Sequence, residues 1–523
     1  MKIERTKNAS RNIVSGFILR SVQIIIPFFM RSAVIYFIGI EYLGLDGLFK
    51  SVLQVLNLAE LGVGSAMIYS MYKPIAEDDK QTICALMRLY LLYYRIIGAI
   101  VLTIGLVLLP FIPHLVSGDV PENINIYALY LINLAATVLS YWLFAYKISL
   151  LNAHQRIDVT NKVTLYTNLV MYTVQLVILW LTGNYYLYVL VMLISQALTN
   201  VITAIVVSKM YPDYHAEGSL TPETKKAINS RIRDLFTSKL GSVIVNSTDA
   251  IVISAFLGLT VLAVYQNYYF VITAIISIIT ILFNACIAGI GNSLIVEKRD
   301  KNYTDFRTFT FIIAWIAGVC ATGLASVIQP FILLWMGEDC LLSYSSVICF
   351  VVYFFVYEIN QLLNTYKDAA GIWHEDRFRP LITAGTNLVL NIVMVQLWGL
   401  YGILLSTVIA MLVIGMPWLL HNLFSLLFNR KEVWKYVLTL TKYSVVSFIS
   451  CAAVYSICHN IHIPLIPTIL VNSLISLCIS NLLFFIAYRT SSEYQNSIKL
   501  LKRILSRSNR KSSSSCQEIE NDN

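Results

Sequence analysis

The sequence predicts an all-α fold: a polytopic transmembrane bundle of about fourteen helices, built as two pseudo-symmetric six-helix lobes plus two C-terminal helices. Three observations carry this reading. Of 523 residues, 57% are hydrophobic and 13% are charged, whereas a soluble domain carries roughly 25% charged residues. Apolar runs long enough to cross a bilayer recur along the whole chain. Lys and Arg fall on alternate connections between those runs and spare the others.

Taken in order, the runs are 12–38, 43–72, 89–112, 124–146, 162–182, 185–208, 236–258, 261–292, 308–334, 345–366, 379–398, 400–424, 437–458 and 466–488. Each reaches the length of about 20 mostly apolar residues that a spanning helix needs. Tight turns are expected at Gly183–Asn184, Gly258–Thr260 and Gly399–Gly402. Arg20 and Arg31 interrupt the first run, and no small-x-small cleavage site follows it, so it reads as a helix and not as a cleavable signal. No polar stretch is long enough to fold as a soluble domain.

The charge pattern tests count and orientation together. With the N-terminus inside, beside Lys2, Arg5, Lys7 and Arg11, every even-numbered connection is basic. These hold Lys73, Lys80 and Arg88; Lys147, Arg156 and Lys162; Lys209, Lys225, Lys226, Arg231 and Arg233; Lys298, Arg299, Lys301 and Arg307; Lys367, Arg377 and Arg379; and Arg430, Lys431 and Lys435. The odd-numbered connections contain no Lys or Arg. Basic residues are retained on the cytoplasmic side, so both termini are expected in the cytoplasm. One missed or invented helix would invert the pattern downstream. The formal net charge of +9 therefore reads as topology, and no nucleic-acid partner is expected.

Nine cysteines lie scattered without a C-x-x-C, and only Cys340 falls in an expected external loop, so no disulfide framework is implied. His459 and His462 form an i, i+3 pair with no third ligand evident, which argues against a zinc site. No G-x-x-x-x-G-K-[ST] occurs, so no P-loop nucleotide hydrolysis is expected. No cofactor is expected. In the tail, Ile498, Leu501, Ile504 and Leu505 share a helical stripe among Lys499, Lys502, Arg503 and Arg507. Two readings stand for it: a surface helix on anionic lipid, or a solvated end.

A weak internal repeat divides the chain. GIEYLGL (Gly39–Leu45) and GVGSAMI (Gly62–Ile68) recur as GLTVLAV (Gly258–Val264) and GIGNSLI (Gly289–Ile295), about 220 residues on. Transporters are often built from such repeats. The expected division is 1–230, an N-terminal six-helix lobe; 231–430, a C-terminal six-helix lobe; 431–488, an extra helix pair; and 489–523, a basic and then disordered tail.

The stretch IGIEYLGLDGLFKSVLQVLNLAELGVGSAMIYSMYKPIAEDD (Ile38–Asp79) resembles the signature region of bacterial polysaccharide repeat-unit flippases. These form the polysaccharide-transporter branch of the multidrug/oligosaccharidyl-lipid/polysaccharide exporter superfamily. TDAIVISAFLGLTVLAVYQNYY (Thr248–Tyr269) resembles the opening of their second half. The resemblance implies a two-lobed bundle around a central cavity in the inner (cytoplasmic) membrane. It implies transport of an undecaprenyl-pyrophosphate-linked oligosaccharide for O-antigen, capsule or exopolysaccharide synthesis. The expected partners are that lipid-linked oligosaccharide, membrane lipid, a monovalent cation or proton, and a polysaccharide polymerase with chain-length regulators. Two alternatives stand beside it: a small-molecule or drug antiporter of the same fold, and a membrane polysaccharide polymerase. Short external loops speak against the polymerase, and a cationic first lobe against a cationic-drug site.

Ionisable groups inside spans are costly and mark sites. Arg20 and Arg31 lie three helical turns apart on one face of the first helix. They are candidate ligands of an anionic pyrophosphate, since Arg binds phosphate through a planar fork, or else they snorkel to headgroups. Lys50, Gln54 and Asn57 share a face of the second helix; Lys50 either joins the arginines or pairs with Asp46. Glu60 partners an arginine or packs beside Gly62 and Gly64. Lys239, Ser242, Asn246 and Asp249 share a face of the seventh helix, and Asp249 either bridges the lobes or binds a coupling cation. Gln266 and Asn267 sit among tyrosines that read as sugar-stacking or interfacial. In the tenth helix, Gln361 is a candidate substrate ligand, and Glu358 is a proton or cation site or a buried ion-pair partner. Asn387 and Asn391 read as interhelical glue.

Overall fold

A run of apolar residues in lipid must satisfy its backbone internally, and helix is the local solution. The computed structural model describes residues 5–118, 120–121, 123–461, 463–500 and 502, with the side chains at 5–7, 9–10, 59, 234, 237–239, 242, 245–246, 285 and 288 excepted. No strand occurs among the described residues. In chain order the helices are α1 (Arg5–Phe37), α2 (Ile40–Leu56), α3 (Val63–Ala76), α4 (Lys80–Leu108), α5 (Ile126–Trp142), α6 (Tyr146–Ala153), α7 (Ile157–Thr182), α8 (Tyr185–Met210), α9 (Pro222–Leu257), α10 (Leu259–Val296), α11 (Arg299–Met336), α12 (Tyr344–Ala369), α13 (Arg379–Ala410), α14 (Met416–Leu426), α15 (Val433–Cys458) and α16 (Leu465–Tyr488).

Helix occupies all fourteen expected runs, though not as fourteen straight rods. Among the described residues ten stretches are long and apolar enough to cross a membrane, or eleven with the bent α5–α6 pair. Breaks account for the difference. The second run is split into α2 and α3 by a 3-10 turn at Asn57–Glu60 and by Gly62, whose φ of 88° favours glycine. The fourth bends by 53° between α5 and α6. The seventh lies in α9, whose first half is polar, leaving Ser247–Leu257 as its apolar part. The eleventh and twelfth run together through a kink at Gly399 (φ 57°, ψ −136°) and on through a π turn at Met411–Gly415. A hydropathy window averages over a turn of four residues, so Asn57 and Glu60 do not interrupt the second run.

The chain forms two compact units: Met1–Asn267 with Pro380–Ile403, and Tyr268–Arg379 with Leu404–Asn523. The first expected lobe boundary, at 230, falls inside α9, whereas the units part inside α10. In the first unit α1 packs on α7 and α2, α7 on α8, α8 on α5, and α5 on α4; α9 lies against α2 and α3. The connection before α9 is strapped to the start of α4. Lys80 Nζ lies 2.6 Å from Asp213, and Arg88 donates to the Gly218 carbonyl at 3.0 Å. The Lys80 ammonium, through its hydrogen bond and charge, holds the Asp213 carboxyl below the usual carboxylate range.

In the second unit α11 is the spine, packed on α12, α15 and α16. Small residues let its neighbours close in: a Cβ at Gly318 would sit 2.7 Å from Ser447 Oγ and 2.8 Å from the Phe484 ring. The C-terminal pair is thus part of this core. Phe306 stacks on Phe428 and Tyr436 at 4.8 and 4.9 Å. Residues 492–500 are helical and dock by Glu493, which pairs with Arg307, and by Tyr494, which packs on Trp315. Of the stripe expected in the tail, Leu501, Ile504 and Leu505 lie outside the described residues.

The repeat has local structural content. Gly39 (φ 117°, ψ 165°) and Gly258 (φ 90°, ψ 175°) adopt similar backbones, and each leads directly into a helix. The correspondence extends further than the two quoted words. His154 and His374 lie 220 residues apart, and TNLV occurs at Thr167–Val170 and Thr386–Val389. Both histidines stand just before a buried Asp–Arg clamp. Arg156 holds Asp158 at 2.8 and 3.3 Å, with Asn12 accepting from the Asp158 amide. Arg379 holds Asp376 at 2.6 and 2.8 Å, with Asn422 donating to the same carboxylate.

Candidate functional site

Two glycines on α2 set the geometry of the first unit's polar site. A Cβ at Gly44 would fall 2.2 Å from the Leu259 carbonyl oxygen, and one at Gly47 would fall 1.7 Å from the Gln266 amide nitrogen. The side-chain-free face of α2 therefore admits the start of α10, and GIEYLGL packs on GLTVLAV. That approach sets Asn267 beside α1. Arg31 Nη1 donates to Asn267 Oδ1 at 2.7 Å. Asn267 is fully buried, and its Nδ2 has no acceptor among the described residues. A buried donor left unmet costs about 1–3 kcal/mol, so Asn267 Nδ2 is placed to meet an acceptor that a ligand brings.

Around the pair stand groups of both signs. Lys50 Nζ lies 2.6 Å from Asp46, which settles Lys50 on the Asp46 alternative, although its side chain stays 62% exposed. Asp46 also acts electrostatically on Arg31, Tyr172, Tyr185 and Tyr188. Tyr42 and Tyr188 flank Tyr185 at 5.0 and 5.8 Å. Lys50 thus pairs with Asp46, and the field of that carboxylate reaches Arg31 and several phenol rings.

Other expected ligands lie elsewhere. Asn57 is not on the Lys50 face of one continuous helix, because α2 ends at Leu56; it accepts from Tyr141 at 2.9 Å. Glu60 accepts from the Tyr94 hydroxyl and not from an arginine, next to the space that Gly64 leaves for Tyr90 and Tyr94. Arg20 is exposed on α1. The side chains of Asn246, Lys239 and Ser242 lie outside the described residues.

Asp249 is buried and takes a 2.6 Å hydrogen bond from Asn391 Nδ2; Asn391 and Asn387 are both fully buried. Asn391 belongs to the same compact unit as Asp249, so this contact is internal to the first unit. One carboxylate with neighbouring amide oxygens is a donor set for a hard monovalent cation. In the second unit, Glu358 is 1% exposed, and neither carboxyl oxygen has a hydrogen-bond partner among the described residues. A charge so placed is expensive, which suits a group that carries a proton. Gln361 is half-buried, and its side chain makes no hydrogen bond among the described residues. No group of three or more His, Cys, Asp or Glu that could hold a metal ion occurs among them.

The second unit also holds two adjoining apolar cavities of about 620 and 590 Å³. They share Phe355, Val356, Leu412 and Ser444, and run from Tyr344 and Tyr455 to His421 and Trp434. Sequence reasoning missed them, since they depend on how α12, α14 and α15 pack. It also missed Arg95, a cation within the third expected span, which reading the sequence for in-span charges would have found.

No protein-family model and no curated protein sequence matches the chain. Solved structures do. The lipid II flippase MurJ in an inward closed conformation shares 17% identity, covers 91% of this chain and 98% of its own, and superposes with a TM-score of 0.64. An inward-facing multidrug resistance MATE family transporter of the MOP superfamily shares 17% identity over 77% of this chain and 97% of its own, at 0.59. A MOP superfamily transporter from Pyrococcus furiosus with a binding pocket of reversed polarity shares 15% identity over 80% and 94%, at 0.52. The chain is a multi-pass membrane protein with the all-helical fold of the MOP superfamily transporters.

Proposed function

We propose that the protein flips undecaprenyl-pyrophosphate-linked oligosaccharide repeat units across the cytoplasmic membrane for surface polysaccharide synthesis, by alternating access. The observation that carries this reading is the Arg31–Asn267 pair, a part-buried guanidinium beside a fully buried amide whose Nδ2 has no acceptor among the described residues. An anionic pyrophosphate supplies an acceptor for that amide and a counter-charge for the guanidinium, and charge-assisted bonds of this kind are the strong ones. The half-buried Tyr172 and Tyr188 are the rings proposed to face sugars. The fold likeness to a lipid II flippase supports a lipid-linked cargo.

Asp249 with Asn391, and Glu358, are the proposed ion-coupling groups: the first for a monovalent cation, the second for a proton. Their acidity also supports a second reading, a small-molecule antiporter, which the likeness to MATE transporters shares. The two readings part on cargo. Deleting the gene should leave lipid-linked repeat units accumulating on the cytoplasmic face. Arg31→Ala should reproduce the defect with transport lowered about 10- to 100-fold, the loss expected for a charged hydrogen bond. Unchanged export of repeat units in the deletion strain, with altered drug resistance, would favour the antiporter.

A further inference from the structure

One cation of the first unit lies away from the site around Arg31. Arg95 sits on the exposed face of α4, among Leu92, Ile96, Ile100, Ile104 and Val107, all of them exposed. That apolar stripe is a lipid-facing surface, and a guanidinium on it is costly without an anion. Among the described residues the Arg95 guanidinium forms no hydrogen bond and no ion pair. It lies six residues inside the expected third span, about 9 Å along the helix axis, where a long side chain still reaches the phosphate layer.

The surroundings are built. The break between α5 and α6 stands beside Arg95. Trp142 Nε1 donates to the Arg95 carbonyl at 3.2 Å. The indole seats against Gly98, where a Cβ would lie 2.3 Å from Nε1. Trp142 and Phe144 remain 42% exposed, and Tyr146 lies within electrostatic reach of the guanidinium. Trp and Tyr are the residues that settle at headgroup level. Arg88, two turns towards the start of α4, is already committed to the Gly218 carbonyl, and Lys147 to Ser208 Oγ at 2.5 Å, whereas the Arg95 guanidinium has no such partner among the described residues.

We infer that Arg95, with Trp142 and Tyr146, forms a site for the phosphate of an anionic phospholipid resident in the cytoplasmic leaflet. The inference rests on the membrane fold, the exposed face and the orientation expected from the charge order, so it stands or falls separately from the transport reading.

The test uses full-length protein in nanodiscs of phosphatidylcholine doped with phosphatidylglycerol. Wild type should retain phosphatidylglycerol preferentially through purification, as read by native mass spectrometry. Arg95→Gln should cut that preference about fivefold, the effect of one basic residue at an anionic surface. Equal retention by wild type and variant would overturn the site. Should the variant fail to fold, crosslinking on wild type decides: headgroup-photoreactive phosphatidylglycerol should label peptides spanning 88–98 and 142–147, and labelling only elsewhere would overturn the site. Undecaprenyl phosphate is the competing probe. If it displaces phosphatidylglycerol from those peptides at equal concentration, the assignment to a resident phospholipid is overturned in favour of a substrate-type lipid; if phosphatidylglycerol stays, the assignment holds.

Discussion

Among the described residues Asn267 Nδ2 has no acceptor and the two Glu358 carboxyl oxygens have no donor, each at a place where burial makes that costly. Asp249 differs, because Asn391 already bonds it. These three residues therefore predict separable defects. Asp249→Asn preserves size and removes charge, so transport should lose its dependence on a cation gradient while the protein still inserts. Glu358→Gln should instead remove dependence on a proton gradient. Transport in proteoliposomes under imposed sodium and pH gradients checks both; unchanged gradient dependence in either variant would sink that assignment. The sequence exposed these residues only as polar letters in apolar runs. It showed that Asp249 and Asn391 were both unusual, but 142 positions separate them, and only packing brings them together.

At the scale of the element, the clamps before α7 and α13 are the strongest structural claim. Asp158 and Asp376 are 2% and 3% exposed, and each is gripped by an arginine through both oxygens. Removing the arginine leaves each buried carboxylate with only a more distant lysine, Lys162 at 4.0 Å or Lys367 at 3.6 Å, and breaking a buried pair costs up to about 3–5 kcal/mol. Arg379→Ala and Arg156→Ala should each lower the thermal midpoint sharply in detergent, whereas Lys50→Ala, an exposed i, i+4 pair worth about 0.3–0.5 kcal/mol, should barely move it. Equal midpoints for all three would refute the distinction. Hydropathy located nearly every helix, because apolar length is a property of composition. The turn at Gly399 was legible from its glycines, whereas the breaks at Gly62 and Phe144 were not, because a positive φ is a property of the backbone. The repeat was legible at Gly39 and Gly258 and extends through His374 and the second TNLV, where the matching words are short and separated by variable apolar sequence.

For the whole molecule, the alternation of basic and non-basic connections predicts sides. Single cysteines placed at Ser343 and at Lys435, in a background free of accessible native cysteines, should react with impermeant thiol reagents from outside and from the cytoplasm respectively. Labelling of both from one face would overturn the topology. The superfamily fold and membrane class were legible from composition, charge order and the two quoted stretches. The cargo was not, since one fold serves a lipid II flippase and multidrug transporters alike.

The account turns on an anionic, lipid-linked cargo held at Arg31. The most direct measurement is flipping of a purified undecaprenyl-pyrophosphate-linked oligosaccharide in proteoliposomes, scored by access of an external glycosidase to units loaded inside. Wild type should move the lipid, Arg31→Ala should slow it about 10- to 100-fold, and an undecaprenyl-linked sugar lacking phosphate should not move. Equal rates for wild type and Arg31→Ala, or equal transport of the uncharged lipid, would contradict the account.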